Sequence, residues 1–221
     1  MRGSVCLRLF QRRVFLPVWL FAGMAGLHAQ KAEVAVLKSG DLLFQNGECG
    51  PLCQAINEVT PAVYGRHFSH IGMVMADSVQ TFVLEATGEK VQKNTLEDFL
   101  KRATGEVLVG RLKKPYRNLI EPAMQFAEAR LGVPYDDAFL YNNGKYYCAE
   151  LIYDAFKAAN KEEPFFHLQP MTFKSPSSDD FFPGWVRYYE NLNLPIPEGE
   201  PGCSPGSIGQ SKKIKIYRYA P

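Results

Sequence analysis

Residues 67–86 set the first limit on what this chain can fold into. His67-Phe68-Ser69-His70-Ile71-Gly72-Met73-Val74-Met75 and Thr81-Phe82-Val83-Leu84-Glu85-Ala86 are nearly continuous apolar runs, joined by the turn residues Ala76-Asp77-Ser78-Val79. A run without polar alternation reads as a strand covered on both faces, so the sheet it belongs to lies between other layers. Each run still carries one ionisable residue, His70 and Glu85. A carboxyl buried in a strand needs a partner. An antiparallel hairpin of residues 69–75 and 80–86 turning at Asp77-Ser78 pairs positions that sum to 155, which sets His70 opposite Glu85. Residues directly opposed share a face, with Cβ atoms about 4.5–5.5 Å apart. The expected pair is an imidazole oriented and charge-stabilised by a carboxylate. Taken alone, His70 reads more readily as a satisfied core histidine; its adjacency to Glu85 favours chemistry. His67 precedes the strand and His167 sits in a loop with no acid in view, so both read as solvent-facing or structural.

Tyr146-Tyr147-Cys148-Ala149-Glu150-Leu151-Ile152-Tyr153-Asp154-Ala155-Phe156 supplies the second constraint. Leu151, Ile152, Ala155, Phe156 and Ala159 have the spacing of one apolar helix face. Cys148 falls in the first turn, after a loop built from Asn142-Asn143-Gly144. Unpaired amides and the positive end of the helix dipole favour thiolate there. Lying three and four residues before Leu151 and Ile152, the same cysteine also fits an ordinary core position. Should this helix pack across the face that carries His70 and Glu85, thiol, imidazole and carboxylate meet in the order nucleophilic catalysis requires.

The rest of the chain frames these two stretches. Arg2, Arg8, Arg12 and Arg13 precede an apolar run over residues 14–27, and small residues lead to a cut after Ala29. That reads as a signal peptide, too short for a comfortable span of about 20 residues and with no second span after it, a retained N-terminal anchor being the minority reading. Residues 30–221 then form one exported domain, periplasmic or secreted, with no transmembrane segment once the signal is removed. The formal charge of +2 comes partly from the signal's arginines, so the mature part is near neutral and has no basic block for nucleic acid. Export permits disulfides, and Cys49 and Cys53 are close enough in sequence to be bridged on a helical turn, with Cys203 a rival partner. No cysteine–histidine array has zinc spacing, and no metal or cofactor is expected. Gly40-Asp41-Leu42-Leu43-Phe44-Gln45 reads as a first strand, residues 106–112 as another and residues 212–219 as the last. Val91 marks a short edge strand, and Asn94/Thr95 cap a helix over residues 96–102. Residues 122–131 form an amphipathic helix that stops at Gly132, residues 185–191 one or two helical turns, and residues 195–209 a loop rich in Pro and Gly.

Five segments occurring in order carry a resemblance: Gly40-Asp41-Leu42-Leu43-Phe44, Ser69-His70-Ile71-Gly72-Met73-Val74, Val83-Leu84-Glu85-Ala86, Val133-Pro134-Tyr135-Asp136 and Tyr147-Cys148-Ala149-Glu150-Leu151-Ile152. Together the chain resembles the YiiX-like cysteine hydrolases, a circularly permuted branch of the NlpC-type papain-like superfamily in which the histidine strand precedes the cysteine helix. The resemblance implies an α+β fold, an antiparallel sheet packed against helices. It implies Cys148 as nucleophile, His70 as base and Glu85 as the residue orienting the base, with Tyr135 and Tyr147 binding substrate. The Cys49/Cys53 pair is not carried over from it.

Relatives in that superfamily include peptidoglycan peptidases and lecithin:retinol-acyltransferase-like enzymes, both acting through a thiol acyl-enzyme. The expected function is an exported cysteine hydrolase that cleaves an amide in a cell-envelope peptide through a Cys148 thioester. The alternatives are a lipid or N-acyl amide acylhydrolase or acyltransferase and, from another class, a non-catalytic binding module on the same fold. Aromatics over residues 165–189 suit an apolar groove for an acyl chain and a plain hydrophobic wrap equally. A binding module is signalled by loss of nucleophile or base, and neither is lost.

Overall fold

The computed structural model describes residues 35–220, Glu48 excepted, so the signal peptide expected over residues 1–29 lies outside the described residues. Its centre is a six-stranded antiparallel sheet. In chain order the strands are β1 (Leu42–Gln45), β2 (His70–Ala76), β3 (Thr81–Thr87), β4 (Lys90–Thr95), β5 (Leu108–Leu112) and, at the C-terminal end, Ile214–Arg218. Their spatial order is β4-β3-β2-β1-β5 and then the C-terminal strand. The helices are α1 (Pro51–Val59), α2 (Leu96–Lys101), α3 (Ile120–Glu128, entered through a 3-10 segment, Lys114–Leu119), α4 (Cys148–Ala159), α5 (Pro183–Leu192) and α6 (Pro205–Gly209). A two-residue strand, Gln169–Pro170, pairs with Pro201–Gly202. Among the described residues no helix is long and apolar enough to cross a membrane.

Alternation along the strands divides the core in two. Leu42, Phe44, Ile71, Met73, Leu84 and Ala86 face α4 and the large cluster that also takes in α1, α3 and α5. Leu43, Val74, Val83 and Val109 face the other way, onto Phe99 of α2. Both faces are covered, as the unbroken apolar runs require. α4 buries Leu151, Ile152, Ala155 and Phe156 completely. A buried side chain of this size contributes about 1.5–3 kcal/mol by leaving water, so this stripe sets where the helix lies.

Capping and ion pairing explain several boundaries. Thr95 accepts a hydrogen bond from the Asp98 amide at 3.1 Å and so starts α2. α6, within the stretch expected to be loop, begins with a reciprocal box between Ser204 and Ser207; a Ser–Ser box is a weaker signal than Ser–Glu, and Gly206 and Gly209 mask the helix. Asp41, of the Gly40-Asp41 segment, holds Arg111 bidentately at 2.7 and 2.6 Å and thereby ties β1 to β5. α5 is locked to α1 by Trp185 Nε1, which donates to the Ala55 carbonyl at 3.1 Å.

The hairpin register differs from the expected one. Met73 pairs with Leu84 and Ala76 with Thr81, a sum of 157. The four-residue connection falls at Asp77 to Gln80 in place of residues 76–79, because the Asp77 carboxylate accepts from the amides of Val79 and Gln80, both at 2.7 Å, and draws them into the turn. A shift of two keeps every side chain on its expected face. It brings Gly72, not His70, level with Glu85, and the pair becomes diagonal. A Cβ at Gly72 would come within 2.5 Å of Val83 and 3.3 Å of Glu85, so the glycine leaves the carboxylate room to reach along the strand.

Candidate active site

His70 and Glu85 meet across that diagonal. Glu85 Oε2 lies 2.5 Å from His70 Nε2. The carboxylate is wholly buried, and its other oxygen accepts from Asn94 Nδ2 at 2.8 Å and from Arg102 Nη2. Burial works against ionisation of Glu85, but the His70 ring and the Arg102 guanidinium outweigh it and hold the carboxyl below its ordinary range. Phe99 of α2 packs against the imidazole, ring centres 5.8 Å apart. The pair, Asn94, Arg102 and Phe99 all lie on the α2 side of the sheet.

Cys148 comes from the opposite side. The expectation that its helix packs across the face of His70 and Glu85 is corrected: α4 covers the other face, to which the large apolar residues of β2 and β3 point. The groups meet around the end of β2. His70 is the first residue of that strand and Cys148 the first of α4. The Cys148 sulfur is 4.0 Å from the Ser69 carbonyl and lies close enough to the His70 ring to raise its basicity. With Nε2 engaged by Glu85, Nδ1 is the nitrogen left for the thiol. Burial lowers the basicity of His70, but Cys148 and Glu85 together override it and push the imidazole up to about 9. At neutral pH the raised ring holds its proton, with the Glu85 carboxylate as acceptor. Tyr147 is the N-cap of α4, and no side chain caps the helix start. Glu150 lies in the first turn, its Oε1 accepting from the Asn142 amide at 2.8 Å.

A groove of about 880 Å³, its open mouth included, runs over the thiol. Its walls include Val59 of α1, Tyr135, Phe139, Met171, Phe173 and Trp185, and among the described residues no Asp, Glu, Lys or Arg lines it. Tyr135 is half-buried beside the thiol, its hydroxyl held protonated by burial and by the nearby Cys148. Tyr147 also lines the groove, but its hydroxyl accepts from the Cys203 amide at 3.1 Å, so it braces the wall. Cys203 is a second buried thiol in the lining. Cys49 and Cys53 are joined in a disulfide at the start of α1, and Cys53 Sγ is 3.1 Å from Ser69 Oγ. His67 is exposed, its Nδ1 3.0 Å from the Thr60 carbonyl, and His167 is exposed as well. Sequence reasoning missed Asn94, Arg102 and Cys203. The spacing of Thr95 and Asp98 fixes α2 and hence places Arg102 just beyond its end, but nothing local shows that the guanidinium turns inward.

The family model described as permuted papain-like amidase enzyme, YaeF/YiiX, C92 family, matches residues 36–216. A solved structure, described as that of the metalloprotein yiiX from Escherichia coli O157:H7, superposes with a TM-score of 0.66 at 22% identity, over 81% of this chain and 95% of that one. No curated protein matches. The chain belongs to the permuted papain-like amidases.

Proposed function

From that membership we propose that the protein is an exported cysteine amidase that cleaves an amide with an apolar acyl side, through a thioester on Cys148. The thiol proton rests on His70, held by Glu85, and the thiolate attacks the carbonyl. The Cys148 amide, at the uncapped start of α4, stabilises the developing oxyanion, a contact typically worth about 3–4 kcal/mol. The imidazolium passes its proton to the leaving amine, and the neutral ring then activates water to release the acid. Tyr135 binds substrate beside the reacting carbonyl. The basic and apolar stretches over residues 1–29 support export, which brings the enzyme to envelope substrates. The yiiX protein is described as a metalloprotein; among the described residues of this chain no group of three His, Cys, Asp or Glu side chains is placed to hold a metal ion, and no step is routed through one.

The observation that carries the choice of substrate is the uncharged groove. A peptidoglycan stem peptide brings ionised carboxylates, which would lose water in this groove without gaining a partner. An N-acyl amide or related lipid brings methylenes, each contributing about 0.8 kcal/mol on burial, or roughly fourfold in kcat/KM per carbon until the groove is full. The test incubates residues 30–221 and the same chain with Cys148→Ala with N-acyl amides of graded length, phospholipids and purified muropeptides. Cys148-dependent release that grows with acyl length is the expected result. Turnover of muropeptides alone returns the function to a stem-peptide amidase, and no turnover of any set leaves a binding module.

A further inference from the structure

We propose that Arg102, seconded by Asn94, is a positioning residue for this reaction, holding Glu85 charged and aimed at His70 so that one imidazolium can serve two anions. The proposal rests on the reading of Cys148 and His70 as nucleophile and base. Its ground is how the Glu85 oxygens are divided. Oε2 is given to His70 Nε2 at 2.5 Å, while Oε1 takes Asn94 Nδ2 at 2.8 Å and Arg102 Nη2. Glu85 is 0% exposed and Arg102 37%, so the guanidinium reaches inward from solvent to a carboxylate that water does not touch. Phe99 keeps the two cations apart: its ring centre is 5.7 Å from Arg102 Cζ and 5.8 Å from the centre of the His70 ring.

Counting charge shows why a second cation is needed. With Cys148 as thiolate and Glu85 as carboxylate, a single imidazolium leaves the buried group one negative charge in excess. Arg102 brings it to neutrality. Without Arg102 the cluster sheds that charge by taking up a proton, on the thiol or on Glu85, and either event disables the nucleophile. The other groups facing the cluster do not supply the balance. Tyr135 and Cys203, beside Cys148, are both held protonated by burial. On α2, Lys101 is spent on Glu97 and Asp98, at 2.9 and 3.4 Å, and on β4 Lys93 faces Glu128 at 3.6 Å.

The experiment needs no substrate. The rate of Cys148 alkylation by iodoacetamide is followed by peptide mass mapping from pH 5.5 to 9 in wild type, Arg102→Gln, Arg102→Lys and Asn94→Leu. Gln keeps a hydrogen-bond donor and removes only the charge. The ratio of the rate at pH 6 to that at pH 8.5 should drop about tenfold in Arg102→Gln, the effect of a site that must be raised by about one pH unit to ionise. Arg102→Lys should restore most of it, and Asn94→Leu, which removes a neutral donor, should lower the ratio less than Arg102→Gln does. A merely structural Arg102 would lower the melting temperature or the labelled fraction and leave the pH profile superimposable on wild type; that result overturns the proposal. Should Arg102→Gln not fold, an Asn94→Leu profile identical to wild type overturns it equally. A wild-type profile like that of free cysteine sinks the reading of Cys148 and His70, and the proposal with it.

Discussion

Glu85 and Glu150 are both 0% exposed, and they lie on opposite sides of the central sheet in opposite states. Glu85, on the α2 side, is surrounded by His70, Asn94 and Arg102 and is held ionised below its ordinary range. Glu150, in the first turn of α4, has no cation in contact among the described residues. Burial pushes its carboxyl up to about 8, the Asn142 amide and the Tyr147 amide pull weakly the other way, and Oε2 finds no partner among the described residues. The same side chain with the same burial is therefore an anion on one side and an acid on the other, decided by its neighbours. The division extends beyond the two residues. Charge that handles protons gathers on the α2 side, whereas the groove on the α4 side has no charged wall. His70 and Cys148 meet where β2 and α4 both begin, at the boundary between the two regimes.

Breaking the charged side has the largest expected effect. His70→Ala removes the base and should lower Cys148-dependent turnover about 10²–10⁴-fold, the range of general acid–base catalysis. Glu85→Gln should lose less, at the low end of that range, and should also move the pH profile. His70 is held up to about 9, so wild-type activity that needs the protonated ring persists to that pH and fades above it. The sign follows from the raised imidazole: the folded ring is mostly charged below about 9 and loses its charge as pH rises through that value. Without the Glu85 charge the alkaline limb should move to lower pH. The measurement is kcat/KM against pH for both variants, and an unmoved limb in Glu85→Gln would show that the carboxylate does not support the ring.

Much of this contrast was legible in the sequence. Unbroken apolar runs marked β2 and β3 as doubly covered, and the two ionisable residues inside them marked a partnered pair. The parity of the hairpin survived an error of two in register, because side chains repeat every second residue. What could not be read was set by contacts distant in sequence or by turn chemistry. The Asp77 side chain, by capturing two amides, moved the turn one residue along the chain. The sheet face chosen by α4 depends on packing against α3, not on the helix's own stripe, so the meeting at the end of β2 was invisible from spacing. Arg102 lies 17 residues from Glu85, and no periodicity links them.

Charging the neutral side is the next test. Val59 is half-buried in the groove wall, so Val59→Lys sets an ammonium where an acyl chain is expected. KM for long N-acyl amides should rise roughly tenfold, about the loss of two buried methylenes, with kcat little changed because the lost contact is made in ground state and transition state alike. A lower KM for the variant on muropeptides would argue that the groove is built for a charged peptide.

The smallest effect should come from Glu150, and it isolates the asymmetry most cleanly. Its carboxyl is held at about 8 when folded, against an ordinary 4.5. Between those values the folded chain keeps a proton that the unfolded chain has lost, so this group makes stability fall as pH rises through the window. Glu150→Gln cannot ionise and removes that slope. The new amide brings a fixed cost, since its NH₂ occupies the position of the unpartnered Oε2, but that cost is the same at every pH. Asp137 and Asp154 are also raised by burial and give slopes of the same sign in both proteins, so they cancel in the comparison. The difference in melting temperature, variant minus wild type, should therefore grow in the variant's favour from pH 5 to pH 8, by roughly 10 °C for a domain of this size. A difference constant across that range would mean that Glu150 ionises freely in the folded protein, and the contrast with Glu85 would then be one of hydrogen bonding and not of charge.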